Sequence, residues 1–277
     1  MSHFAFPALH GLLIWWFSTG IILFLDGLPR RTFRWSMAGA TMVLGGALFG
    51  LATSATDTSV AGAYMAFTCG VLIWGWLEIS FYMGYVTGPR THHCHRGCNG
   101  WRHFGHAIQA SLYHELGVLA LAGLVAALTW NAPNHFGLWT FVVLWWMHQS
   151  ARLNVFLGVS NLNAEFLPEH LDYIKSFFTA RPMNLLFPFS VTISTIAAVL
   201  LVQQALADRA NAFREAGYSL LATMMVLAIL EHWFLVLPIS AARLWNRLWQ
   251  WSLGARGKLP LSRQTPVHGQ ATIGGRQ

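Results

Sequence analysis

The sequence predicts an all-α, polytopic integral membrane helix bundle of about seven transmembrane spans, and three observations lead there. First, 55% of the 277 residues are hydrophobic and only 10% are charged, whereas soluble domains carry about 25% charged residues. Second, apolar runs recur at the roughly 20-residue length that crosses a bilayer. Third, the basic residues are confined to alternate connecting segments. Arg30, Arg31 and Arg34 follow the first run, Arg90, Arg96 and Arg102 the third, and Lys175 and Arg181 the fifth. Arg243, Arg247, Arg256, Lys258, Arg263 and Arg276 follow the seventh, so 14 of the 17 basic residues lie on one side. The positive-inside rule then puts the N-terminus outside and the C-terminus in the cytoplasm. The same rule accounts for the +7 formal charge without a nucleic-acid partner.

Taken in order, the runs lie near 7–26, 36–53, 60–83, 105–130, 137–158, 184–206 and 218–242. The first lacks a basic leader and is long enough to stay as a span, so no cleavable signal peptide is expected. The second is short and Gly-rich. The outer connections are short and plain, apart from ADRANAFREAG after the sixth run. Two cytoplasmic loops, 84–104 and 159–183, are richer in chemistry. Together these segments make a membrane domain over 1–251, and 252–277, rich in Gly, Ser, Gln and Arg, is expected to be a disordered tail. Cys69, Cys94 and Cys98 are an odd number, and no disulfide framework is expected.

The stretch from Asn154 to Pro188 has an unusual density of charge and amide groups between two apolar runs. Within it, a short amphipathic helix is expected near 165–179. Pro168 suits its start. Leu171, Ile174, Phe177 and Phe178 share one face and Asp172, Lys175 and Ser176 the other. Such a helix would lie at the membrane surface. Arg181-Pro182 and Pro188 bracket the start of the sixth span, as a helix start with a kink or as a re-entry point.

Polar groups inside spans are costly and are candidates for function. Glu78, His114, Glu115, His148, Gln149, Arg152, Asn154, Glu231 and His232 all fall near the cytoplasmic ends or halves of their spans. Alternating span directions bring them to similar depth, so three carboxylates, three imidazoles and one guanidinium could meet in one layer beneath the 159–183 loop. The candidate ligand-binding set is His114, Glu115, His148, Arg152, Asn154, Glu231 and His232 from this layer, with Asn161, Asn163, Glu165, Arg181 and Asn184 from the loop. Arg152 neutralising a carboxylate, with the others bonding between helices, is the structural alternative.

The loop 84–104 carries His92, His93, Cys94, His95 and Cys98, a candidate metal set for zinc, copper or iron. His103 and His106, three apart, could share a helix face just beyond it. The alternative is a metal-free polar loop. No second histidine box accompanies it, and His114-Glu115 does not continue as H-E-x-x-H. Walker A, G-x-G-x-x-G and G-x-S-x-G motifs are absent.

Asn161-Leu162-Asn163, Glu165-Phe166-Leu167-Pro168-Glu169-His170-Leu171 and Arg181-Pro182-Met183-Asn184-Leu185-Leu186-Phe187-Pro188, with Leu153-Asn154-Val155-Phe156-Leu157-Gly158 before them, carry a family resemblance. Tyr113-His114-Glu115-Leu116 and Gly137-Leu138-Trp139-Thr140 add to it. The pattern resembles the PuhE family, photosynthetic complex assembly proteins of phototrophic bacteria, most closely over residues 100 to 200. The His/Cys loop at 92–98 is not part of it.

That resemblance implies a multi-pass protein of the bacterial inner (intracytoplasmic photosynthetic) membrane. Its partners would be photosynthetic complex subunits, pigment-biosynthesis proteins and membrane lipid. The first reading is a non-enzymatic assembly factor for the reaction centre and light-harvesting complex, binding or delivering bacteriochlorophyll or modulating its supply. In it, His114 or another buried His would ligate the chlorin magnesium while Arg152 and the Asn residues orient its carbonyls. The second is a metal-dependent membrane enzyme, with Glu78, His114, Glu115, Glu231 and His232 as the residue types of a carboxylate/histidine di-metal site for a tetrapyrrole or lipid, although the usual E-x-x-H spacing is absent. A transporter is the third, disfavoured because no pair of broken helices recurs in two matching halves.

Overall fold

In the computed structural model, the described residues are 2–237 without 96, 163, 165, 166 and 208–210. The candidate residues Asn163 and Glu165, and the expected tail at 252–277, lie outside them. The architecture is all-helical: α1 (Ser2–Asp26), α2 (Phe33–Ser54), α3 (Val60–Tyr82), α4 (Gly100–Leu128), α5 (Phe136–Leu157), α6 (Leu186–Ala205) and α7 (Ala212–Val236). Among the described residues there is no strand, only an isolated bridge between Val159 and Ala180.

Six of these helices are long and apolar enough to cross a membrane. The exception is α5, which carries His148, Gln149, Ser150, Arg152 and Asn154. Its polar residues do not expel it from the bundle, because it packs against α3 and α7. A helix lined by protein need not be apolar all round. Helix α3 is the central column, touching α1, α2, α4, α5 and α7. Its Phe67, Ile73 and Leu77 are fully buried. The outward faces of α1, α2 and α6 instead expose Phe6, Phe17, Met42, Phe49, Phe189 and Ile196, an apolar exterior suited to lipid.

Small residues let the central helices approach. A methyl group on Gly70 would sit 2.7 Å from the Gly137 carbonyl oxygen, and one on Gly137 would sit 2.3 Å from Leu51 Cδ1. Close backbone approach of this kind is the usual packing device where lipid removes the hydrophobic drive between helices.

Connections gather at two ends. At one end Asn134, fully buried, donates from Nδ2 towards the carbonyls of Ser54 (3.0 Å), Asp57 (3.1 Å) and Gly62 (3.0 Å). Its Oδ1 accepts from the Phe136 amide at 3.2 Å. At the opposite end lie the loops after α1, α3 and α5 and the end of α7. His170 meets the Phe33 ring at 6.0 Å, and the Asn161 amide donates to Leu235 O at 2.8 Å.

The segment expected to be an amphipathic α-helix is a 3-10 helix, Glu169–Phe177, entered through Pro168. Leu171, Tyr173 and Phe177 are buried against Ala110, with Phe81, Tyr82, Ala107 and Phe156 around them. Its apolar face is therefore covered by the bundle end. Three residues per turn suit that docking, since Leu171, Ile174 and Phe177 then align along one edge.

Candidate functional site

Helices α3, α4 and α5 converge on Glu78, His114 and His148. His148 Nδ1 lies 3.4 Å from Glu78 Oε1, in ion-pair range but without hydrogen-bond alignment. The two imidazole rings stand 5.8 Å apart. One donor atom from each of the three residues falls within 4.8 Å of the others. His114 is 1% exposed, and neither of its ring nitrogens has a hydrogen-bond partner. Phe81 covers it at 4.9 Å, and Trp74 packs edge-on to His148 at 5.3 Å.

The loop after α3 closes this site. Thr87 O accepts from the His114 backbone N–H at 3.0 Å, and Arg90 N–H reaches Gln109 O at 3.5 Å. A methyl on Gly88 would sit 2.1 Å from Gln109 O, so only glycine lets the loop lie this close to α4. Loop and helix thus cover Glu78 and His114 beneath the bundle end, while the His148 side chain stays 25% exposed.

An unpartnered polar group in an apolar interior costs several kcal/mol at most and of order 1–3 kcal/mol in proteins. Neutral imidazole nitrogens and a carboxylate are hard-to-borderline donors for a divalent metal. One carboxylate with two imidazoles also matches the donor types of catalytic His2Glu zinc and of two-His-one-carboxylate iron sites. Glu78 stands outside the candidate ligand-binding set but within the carboxylate/histidine set of the enzyme reading, and of that set the structure groups it with His114, adding His148 in place of Glu115, Glu231 and His232.

The rest of the expected polar layer divides into separate pairs. Arg152 donates from Nη1 to Glu115 Oε1 and from Nη2 to Ser111 Oγ, and Gln149 donates to Glu115 Oε2. This network ties α4 to α5. His232, 1% exposed, uses Nδ1 towards Ala228 O and Nε2 towards Ser150 Oγ, both at 2.9 Å, and so links α7 to α5. Glu231 turns the other way and accepts from Trp15 Nε1 of α1 at 3.0 Å.

The amides are joints between segments. Asn154, fully buried, donates to Ser190 Oγ of α6 at 3.1 Å. Asn184 donates to Asn154 Oδ1 (3.0 Å) and Gly158 O (2.9 Å), while its own Oδ1 caps α6 through Leu186 N–H (2.8 Å) and Phe187 N–H (3.1 Å). Asn161 donates to Phe234 O at 2.8 Å and to Leu237 O, capping the end of α7. Arg181 is exposed, and its methylene stem covers Gly158, whose φ of +126° favours glycine.

In the His/Cys loop, the residues that converge differ from the candidate set. Cys94 and Cys98 meet His106 and His103 at the start of α4. His92 and His95 are exposed, and His93 lies 3.7 Å from Asp172 Oδ2. Burial, reinforced by Cys98, holds the Cys94 thiol above its ordinary value.

Comparison with known proteins adds context. A curated protein of Rhodobacter capsulatus, described as an uncharacterized 30.4 kDa protein in the puhA 5' region, is 38% identical over 271 residues, covering 96% of this chain and 97% of its own length. No solved structure matches. The family model described as "Protein of unknown function (DUF3623)" matches residues 1–259. The chain belongs to that DUF3623 family.

Proposed function

We propose that this protein is a seven-span assembly factor for the photosynthetic reaction centre and light-harvesting complex, acting on bacteriochlorophyll or its supply from the site around His114. Two things support a photosynthetic role: the relative assigned to the puhA 5' region, and the PuhE-like pattern of 153–188. The single observation that carries the site is His114, fully buried with both ring nitrogens free of hydrogen bonds. An imidazole nitrogen is the donor by which proteins hold tetrapyrrole metals. His114 would hold the metal centre, and Glu78 and His148 would fix the electrostatics around it. Arg152 is committed to Glu115 and Ser111, so its role is to hold α4 against α5. Admission of a macrocycle requires the loop carrying Thr87 and Gly88 to lift from α4. The membrane would be the bacterial inner, intracytoplasmic photosynthetic membrane, with the N-terminus outside.

A second reading rests on a specific observation: Glu78, His114 and His148 offer donor atoms within 4.8 Å of one another. That cluster suits a bare divalent ion, and the protein would then be a metal-dependent membrane enzyme acting on a tetrapyrrole or lipid. An absorption spectrum with elemental analysis, on protein purified in mild detergent from phototrophic membranes, separates the two. A chlorin band with about one magnesium per chain, lost in His114→Phe, is expected from pigment handling. Iron or manganese without pigment would replace it with the enzyme reading.

A further inference from the structure

Three side chains at the bundle end, Cys94, Cys98 and His106, come together around one point, and His103 adjoins them through Cys94. Cys94 Sγ and Cys98 Sγ each lie 3.4 Å from His106 Nδ1. His103 Nδ1 lies 3.3 Å from Cys94 Sγ. Donor atoms of Cys94, Cys98 and His106 all fall within 4.8 Å of one another. A single Nδ1 takes part in one good hydrogen bond, yet two sulfurs approach this one equally. Hydrogen bonding alone does not account for that geometry; convergence on a shared cation does. In a tetrahedral zinc site with Zn–S of about 2.3 Å and Zn–N of about 2.0–2.1 Å, neighbouring S and N ligands stand about 3.6 Å apart. The observed separations are close to that edge.

Local structure builds the cluster. Gly97, at φ +85°, allows a tight turn closed by Cys98 N–H to His95 O at 3.1 Å, which returns Cys98 beside Cys94. His103 and His106 are three residues apart on the first turns of α4 and share a face. The surroundings hold the ligands in place. Cys94 N–H donates to Ser176 Oγ at 3.0 Å, and the His103 ring stacks on Phe156 at 5.5 Å and leans on Phe177 at 5.3 Å. Loop, α4, α5 and the 3-10 helix therefore all meet here.

From this convergence we infer that Cys94, Cys98, His103 and His106 form a structural zinc site that clamps the loop after α3 to α4 and to the 3-10 helix Glu169–Phe177. With His103, in contact with Cys94 Sγ, as the fourth ligand, all four positions would be filled by protein, as in structural rather than catalytic zinc sites. The site is separate from Glu78, His114 and His148 and stands whether or not pigment handling does.

The test uses full-length protein carrying a tag without histidine, purified from cells in detergent. Elemental analysis is expected to give about one zinc per chain. Cobalt exchanged for zinc should give the intense visible bands of a tetrahedral site and a thiolate-to-cobalt charge-transfer band. Cys98→Ser and His106→Ala should each cut zinc retention at least tenfold, and His92→Ala should not. Because a ligand variant can misfold, thiol labelling of the unaltered protein provides an independent readout: Cys94 and Cys98 should be protected until a chelator is added. Zinc-free protein with both thiols open to reagent, a Cys94–Cys98 disulfide in the protein as isolated, or full zinc retention by Cys98→Ser would each overturn the assignment.

Discussion

Replacing Glu115 by Gln tests whether the α4–α5 network is an interhelical support of the kind described. Glu115 accepts from Arg152 on one oxygen and Gln149 on the other, and Arg152 also holds Ser111. The Gln side chain keeps the shape but removes the charge and converts one acceptor to a donor. Breaking a fully buried ion pair costs about 3–5 kcal/mol. Here the two side chains are 34% and 24% exposed, and a charge-assisted hydrogen bond contributes about 1.5–3 kcal/mol. A loss of about 2 kcal/mol follows for Glu115→Gln, roughly 4–8 °C in Tm for a chain of this size. Arg152→Gln should lose less, because Gln149 still holds Glu115. The double variant restores an amide pair, so the two losses should fall short of additivity by about 1 kcal/mol, as expected for residues in contact. Thermal unfolding of all four proteins in one detergent measures this cycle. Additive losses within about 0.3 kcal/mol would refute the network.

Three further outcomes are expected. Asn134→Ala removes the side-chain donor to the carbonyls of Ser54 at the end of α2, Asp57 in the loop and Gly62 at the start of α3, and the acceptor of the Phe136 N–H, so it should cost about 1–3 kcal/mol by thermal scan. His114→Phe, which removes two unpartnered nitrogens from a buried site, should change stability by less than about 1.5 kcal/mol, whereas His232→Phe, which breaks bonds to Ala228 and Ser150, should destabilise in the same assay. Asp57 accepts from Ser59 N–H at 2.8 Å, and hydrogen bonds from Ser59 hold its carboxyl below the ordinary value. Its contribution is full above the unfolded value of about 4 and is lost as pH falls through the lower folded value; Asp57→Asn should therefore show a smaller Tm decrease between neutral and strongly acidic pH.

The helices were legible because membrane length and apolarity are properties of a run, and no tertiary partner is needed to read them. Even α5, interrupted by His148, Gln149 and Arg152, stands out between its loops. The site was legible in depth but not in azimuth. Glu231 and His232 share a depth, yet neighbouring helix positions differ by about 100° in direction. One therefore faces Trp15 on α1 and the other Ser150 on α5. Rotation about each helix is fixed by packing, for example where Gly70 meets Gly137, and the spacing of polar residues does not carry it. The 3-10 geometry of Glu169–Phe177 likewise depends on docking against Ala110 and Phe81. In the His/Cys loop, local sequence marked a donor-rich region, but the turn at Gly97 and the face of α4 decide which donors meet. That is why His103 and His106 join the cysteines while His92, His93 and His95 point elsewhere.

The most direct measurement of the central claim is the near-infrared absorption of membranes from a phototrophic strain carrying His114→Phe, with the amount of this protein quantified alongside. A clear loss of mature reaction-centre and light-harvesting bands at unchanged protein level is expected. Full bands at the same protein level would contradict it, and would leave His114 as a packing residue of the α3–α4–α5 interface.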